Sequence, residues 1–522
     1  MHAHARAMDP CPVADATAAH ARLIEGLCAT RTFAHPVLRV ETIETHISTV
    51  LLAGEFAYKL KKPVDLGFVD FTTLEKRRQS CEDEVRLNRR TAPQLYLGVV
   101  PITGSFERPV VGGDGEPIEY AVQMRRFASE ATFDKVALVP EQVDALAALV
   151  AAFHRSVPVA DPASGYGAPA LVKEAALDNF RQTLPHAKDR ASRDALARLR
   201  AWTEAESARL APALEERRRC GFVRECHGDL HLGNVALIDG NPVAFDCIEF
   251  SAQLRWIDVL SEVAFTMMDL LAHGERALGF RFLNAYLEET GDYGGVAVLR
   301  FYLVYRALVR AKIAALQQRQ STLERYLRLA ETLAAPAHKG LAITCGLSGS
   351  GKTTLARTLA SMLGAVHIRS DVERKRLYGI APHSSAAADS GAGIYAPQAS
   401  AATYERLAQL ARSILASGYP AVVDATFLRR AERRIFRELA RRAGARFVIV
   451  RCEAPLGALQ ARLLARAGMR DASDATPAVL ERQLAIREGF APAEAEAGVT
   501  CDTLERNSVA SILTEVETRL AA

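Results

Sequence analysis

Nine cysteines stand singly along the 522-residue chain, and no two form a Cys-x-x-Cys pair. That spacing argues against zinc ribbons and disulfide frameworks. No apolar run reaches the roughly 18 residues of a membrane span, and Met1–Pro10 lacks the apolar stretch of a signal peptide. A cytoplasmic protein without a membrane partner is the resulting expectation. Charge of one sign is scarce, with a formal balance of +4, so nothing pulls the whole molecule toward nucleic acid. No internal repeat is visible. What is plentiful is apolar content, 49% of residues, and a length beyond what one core usually supports. Two or three packed domains follow.

Residues 1–18 read as a loose polar tail. Alternation over Val37–Thr45, Ser48–Ala53 and Phe56–Lys61 reads as strands, with a turn at Gly54-Glu55. Leu74–Arg90 is charged and helical, and Tyr120–Arg126 is strand-like. Helices then dominate, with an almost continuous one from Val298 to Leu333. Ala335-Pro-Ala-His-Lys-Gly340 breaks the pattern and marks a domain boundary. Beyond it strands and helices alternate, which implies a parallel sheet. Pro382–Gly393 is low in complexity and reads as a mobile loop.

Two motifs carry chemistry. The first is His227-Gly-Asp-Leu-His-Leu-Gly-Asn234, followed by Ala244-Phe-Asp246. Phosphoryl transfer needs a carboxylate to orient the acceptor hydroxyl, an amide and a second carboxylate for magnesium, and a lysine on the phosphates. This segment resembles the catalytic loop of the aminoglycoside phosphotransferase and choline kinase superfamily, over roughly residues 30–335. The resemblance implies Asp229 as catalytic base and Asn234 and Asp246 as magnesium ligands, with Asp258 bracing the loop. It implies Lys59, in Ala57-Tyr-Lys59, as the phosphate lysine. Lys61 competes, because a period of two puts it on the same face. The acid holding that lysine is expected on the next helix, Glu84 first and Glu82 second. Met124 takes the place of the adenine hinge. No glycine-rich loop of the protein-kinase form precedes Lys59, which points away from protein kinases.

The second motif is a complete Walker A loop between an apolar strand and a helix. Gly346, Ser348, Gly349, Ser350 and Gly351 would turn their amides onto phosphate, with Lys352, Thr353 and Thr354 opening the helix. Lys352 would bridge the β- and γ-phosphates, and Thr353 would ligate magnesium. His367-Ile-Arg-Ser-Asp371 ends the second strand, with Asp371 as a candidate base and Arg374 nearby for an acidic group. Asp424, at the end of the third strand, is a candidate either for a Walker-B-like role in the water shell of magnesium or for facing the acceptor. Arg462 and Arg466, four apart on one helix, resemble the lid of zeta-toxin and gluconate kinases, with Arg470 following. Nothing resembles the sensors of ring ATPases.

The expected fold is thus an α+β kinase-like domain with two lobes, then an α/β P-loop domain with a parallel sheet. The kinase-like domain covers 19–335, with an N-lobe at about 30–128 and a C-lobe at about 129–335, and the P-loop domain covers 336–522. Both would use ATP and Mg2+ to phosphorylate small-molecule hydroxyls. One alternative is a polynucleotide 5′-hydroxyl kinase using the arginines at 429–442, against which the scarcity of aromatics in that domain weighs. The other is that one domain binds nucleotide and regulates its neighbour.

Overall fold

The computed structural model describes residues 12–67, 69–335, 339–382, 384, 393–466 and 472–521. They pack as two compact units, one of 1–138, 156–166 and 222–262, the other of 139–155, 167–221 and 263–522.

The first unit is built on an antiparallel six-stranded sheet. Its strands are β1 (Val40–Glu44), β2 (Ser48–Ala53), β3 (Phe56–Lys61), β4 (Tyr96–Gly104), β5 (Pro109–Val111) and β6 (Glu119–Arg125), in the order β1-β2-β3-β6-β4-β5. Alternation decides what each face carries. Tyr58 and Leu60 join Leu51, Ala53 and Ile102 on one side, under Leu23 and Leu27 of the Pro12–Leu27 helix. That helix begins inside the stretch read as a loose tail; residues 1–11 lie outside the described residues. Lys59 and Lys61 therefore turn to the opposite side, toward the helix Leu74–Asn88. Thr73 caps this helix by accepting from the Lys76 amide, and it buries Arg77, Ser80, Cys81, Glu84 and Asn88 at helical spacing.

Two antiparallel pairs complete the unit: β7 (Val223–Glu225) with β10 (Trp256–Asp258), and β8 (Val235–Ile238) with β9 (Asn241–Ala244). The β8–β9 turn is Asp239-Gly240, both at positive φ (50° and 78°), the backbone of a tight hairpin.

The second unit joins long helices to a parallel sheet. The helices include Arg190–Arg219, Arg276–Thr290, Val296–Leu316 and Gln320–Ala334. The last two replace the single helix expected from Val298 to Leu333. Gln318, at φ 57°, breaks the run with no proline or glycine to announce it. The sheet holds β11 (Gly340–Cys345), β12 (Val366–Arg369), β13 (Ala421–Asp424), β14 (Arg446–Glu453) and β15 (Gly498–Asp502), in the order β12-β13-β11-β14-β15, all parallel. Every residue of β11 is buried, as a central parallel strand requires. The chain crosses from one side of β11 to the other between β13 and β14. Ligands of such sheets bind beyond the strand ends at that switch point. Most of the loop 382–393 lies outside the described residues.

Candidate active sites

In the first unit, Lys59 Nζ lies 2.8 Å from Glu84 Oε1 and 2.6 Å from Asp246 Oδ1. Lys61 Nζ bonds the other oxygen of Glu84 and also Glu249. One carboxylate thus serves both lysines, while Glu82 pairs with Arg78 at 2.9 Å on the exposed face of the same helix. Burial alone would lower the Lys59 ammonium, but Asp246 and Glu84 outweigh it and hold it well above its ordinary value. Burial likewise opposes ionisation of Asp246, yet Lys59 brings that carboxyl down to about 2. Its side chain remains 46% exposed, open to a ligand.

The hairpin delivers Asp246. Val235 pairs with Ala244, and the Phe245 amide donates to the Asn234 carbonyl at 3.0 Å, so Asn234 and Asp246 flank one end of the ladder. Asp246 sits at φ 63°, a left-handed conformation that aspartate tolerates better than most residues. Its amide donates to the Tyr96 hydroxyl (3.1 Å), and the next amide, of Cys247, donates to Asn88 Oδ1 (2.8 Å). Asn234 Nδ2 donates to the carbonyl of Asp229 (2.9 Å) and to its Oδ2 (3.2 Å), which leaves the Asn234 amide oxygen for another partner. His227 Nε2 donates to the Phe245 carbonyl at 2.9 Å, and burial lowers its pKa, so the ring is a neutral strut between loop and hairpin. Asp258 Oδ1 accepts the Leu260 amide at the start of the following helix. Met124, half-buried on β6, pairs in register with Ala57 and Tyr96.

Carboxylate and amide oxygens are hard donors of the kind Mg2+ takes, usually alongside phosphate and water. Asp246 and Asn234 fit it.

In the second unit, the Walker loop joins β11 to the helix Lys352–Leu363. Gly349 has φ 82°, and a Cβ there would stand 2.9 Å from the Leu459 carbonyl, so position 349 takes only glycine without strain. Ser348, Gly349, Gly351, Lys352, Thr353 and Thr354 line a cavity of about 880 Å³, together with Asp371, Arg369, Arg374 and Asp424. Lys352 Nζ donates to the Leu347 carbonyl at 2.7 Å. Burial lowers its pKa, with Asp424 opposing. Asp424 Oδ1 accepts from the Thr344 hydroxyl at 3.3 Å. The Ser350 hydroxyl is buried with no hydrogen-bond partner among the described residues. Arg374 is 9% exposed. It donates to the Ile394 carbonyl (3.0 Å), while its Nε has no partner among the described residues.

The arginines divide. Arg462 donates to the carbonyls of Gly349 (3.1 Å) and Thr503 (3.1 Å) and to the Thr503 hydroxyl (3.0 Å), bracing the loop itself. Arg466 ends the Leu456–Arg466 helix with its side chain outside the described residues, as is all of Arg470. Of the 429–442 group, Arg433 is buried against Glu494 (2.8 Å), and Arg441 and Arg442 both bond Glu438 (2.8 and 2.7 Å).

No motif pointed to Gln483, whereas Asp474 closes the acidic run Asp471-Ala-Ser-Asp474 that follows Arg470 in sequence. Gln483, on the helix Pro477–Ile486, accepts the Ser348 amide (2.8 Å) and donates to the Ser348 hydroxyl (2.9 Å). Asp474 accepts from Tyr395 (2.8 Å) and Lys375 (3.1 Å). Gln483 carries no sequence signal beyond lying after the fourth strand of a P-loop sheet.

Residues 73–302 match the phosphotransferase enzyme family, and residues 341–490 match an AAA domain family. An uncharacterized protein of Mycobacterium tuberculosis strain H37Rv is 33% identical over 470 residues, covering 87% of this chain and 92% of that protein. Its Mycobacterium bovis counterpart aligns equally. Among solved structures, a gluconokinase from Sinorhizobium meliloti is 26% identical over 35% of this chain and 93% of its own, with a TM-score of 0.24. The GDP complex of aminoglycoside 2′-phosphotransferase-IIIa is 14% identical over 60% of this chain and 98% of its own, with a TM-score of 0.37. No helix among the described residues is long and apolar enough to cross a membrane.

Proposed function

This chain belongs to the family of those mycobacterial proteins and fuses a kinase-like phosphotransferase domain to a P-loop domain; from that premise we propose that it is a bifunctional MgATP-dependent kinase with a separate hydroxyl acceptor for each domain. The functional division lies near residue 335, although by packing alone the long helices group with the P-loop sheet.

The observation that carries the reading is the placement of Lys59 between Glu84 and Asp246, beside the Asp229–Asn234 loop. In this domain Asp229 takes the proton of the acceptor hydroxyl as its oxygen bonds the γ-phosphorus. The bond from that phosphorus to the β–γ bridging oxygen breaks, and ADP leaves. Lys59 moves its charge from Asp246 to the phosphates, with Glu84 keeping it in place. Asp246 and Asn234 would hold Mg2+, which would supply charge neutralisation for the transferring group.

In the P-loop domain Lys352 and the loop amides hold the phosphates, Thr353 and Asp424 serve the metal, and Asp371 faces the acceptor. Arg374, buried on the cavity wall with an unused donor, favours an acceptor that bears an anionic group.

Asp229→Ala and Lys352→Ala, made separately, test this by MgATP turnover against a panel of hydroxyl metabolites, half of them acidic. Each lesion is expected to silence a different acceptor and spare the other. Loss of the same reaction in both would mean one coupled activity. Retention of all turnover in both variants would reject the two site assignments.

A further inference from the structure

The outer strand of the P-loop sheet is completed by side chains from the Arg276–Thr290 helix, within the second unit. β12 pairs with β13 on one side. On its other side, Asn284 Nδ2 donates to the Ala365 carbonyl (2.9 Å) and Asn284 Oδ1 accepts the His367 amide (2.8 Å). One carboxamide thus meets an acceptor and a donor two residues apart, as a neighbouring strand's peptide would. The Tyr293 hydroxyl donates to the His367 carbonyl at 3.2 Å.

One turn beyond Asn284, Glu288 bonds Arg369 and lies 3.8 Å from Arg357, and its carbonyl accepts from Arg376 at 2.6 Å. The helix ends at Gly291, whose φ of 75° is a left-handed conformation that glycine takes without strain, with the Arg376 side chain lying against it. Asn284, Glu288, Tyr293, His367 and Arg369 are all buried. Arg369 and Asp371 line the P-loop cavity, and Asp371 lies not at the end of β12, as its sequence position suggested, but in the first turn of the helix Ser370–Leu377 that follows it.

We propose that Asn284 and Glu288 are positioning residues for the P-loop site, setting Arg369 and the Asp371 segment, so that nucleotide in the P-loop cavity and the Arg276–Thr290 helix are energetically coupled. The functional importance of Asp371 rests on the reading above; the coupling itself rests on these contacts. Burial makes the contacts consequential, because a buried donor or acceptor stripped of its partner carries its full desolvation cost. Coupling of this kind is reciprocal.

Hydrogen–deuterium exchange of the full chain, with and without MgADP, tests it. In the wild type, MgADP is expected to slow exchange at 346–353, 365–371 and 284–290 together, and Lys352→Ala to abolish all three effects. Asn284→Asp and Glu288→Gln are expected to speed exchange at 365–369 about tenfold. MgADP would still protect 346–353 in them but no longer reach 284–290. A structural lesion without coupling would raise exchange across the whole unit instead. Wild-type protein whose 284–290 amides ignore MgADP would overturn the proposal with no variant needed. So would variants whose 365–371 segment responds like the wild type. Asp371→Asn separates the two ideas: if it leaves P-loop turnover intact while the exchange pattern holds, the acceptor reading fails and the coupling stands.

Discussion

Gln483 accepts the Ser348 amide, one of those proposed above to hold phosphate, and its removal is expected to tighten nucleotide binding. Two neutral hydrogen bonds join the residues, at 2.8 and 2.9 Å. Each is worth about 0.5–1.5 kcal/mol net. If the β-phosphate is to reach the amide, both must break. The wild type therefore binds against a cost of about 1–3 kcal/mol, equivalent to about 5- to 150-fold in Kd. Ser348 is buried, so water replaces the lost partner poorly, and the observed gain should exceed the lower figure. Titration calorimetry with MgADP, in a Lys59→Ala background that disables the other nucleotide site, reads the change directly. Gln483→Glu provides the opposite arm: its carboxylate still accepts the amide but repels incoming phosphate, so binding should weaken. An unchanged Kd in Gln483→Ala would refute the competition argument. A weaker one would mean that Gln483 holds nucleotide rather than displacing it.

Glu84→Ala leaves Lys59 and Lys61 buried without their shared carboxylate, and urea unfolding should show a loss of about 3–5 kcal/mol; a loss under about 1 kcal/mol would contradict the shared-partner account. Asp246 titrates at about 2 against an ordinary 3.8, so its stabilising contribution is complete above about pH 4 and disappears as pH falls toward 2. Asp246→Asn should flatten that acid limb in denaturation curves and abolish turnover by the kinase-like domain. Burial pushes His367 from 6.5 to about 3, so between those values the unfolded chain binds a proton that the folded one refuses. Stability should then fall as pH drops below 6.5, by up to about 1.4 kcal/mol per pH unit from this group. His367→Gln should lose that slope, and an identical slope in the variant would assign it elsewhere.

Much of the architecture could be read directly from residue patterns. The period of two in Phe56–Lys61 put both lysines on one face, and the fully apolar Leu341–Cys345 before a Walker loop announced a central parallel strand. Motif spacing also drew Asp229, Asn234 and Asp246 into one hairpin neighbourhood. Spacing cannot say which way a long side chain turns. Arg462 has the sequence position of a lid arginine, yet it bonds the loop backbone and Thr503. Asn284, Glu288 and Gln483 are polar residues on ordinary helices, and their partners lie 81, 81 and 135 positions away in sequence. Nothing local marks such pairs. The break at Gln318 was equally silent, because a single left-handed glutamine ended the helix.

Asn284 has a practical corollary for anyone dissecting this polypeptide. A fragment started at residue 336 would contain the whole Walker loop and all five strands, and would look like a self-sufficient enzyme on paper. It would also leave the Ala365 carbonyl and the His367 amide unoccupied on an outermost strand, an invitation for a second copy to add its own backbone. Poor solubility of such a truncation would reflect a missing carboxamide, and would say nothing against the catalytic competence of the intact protein.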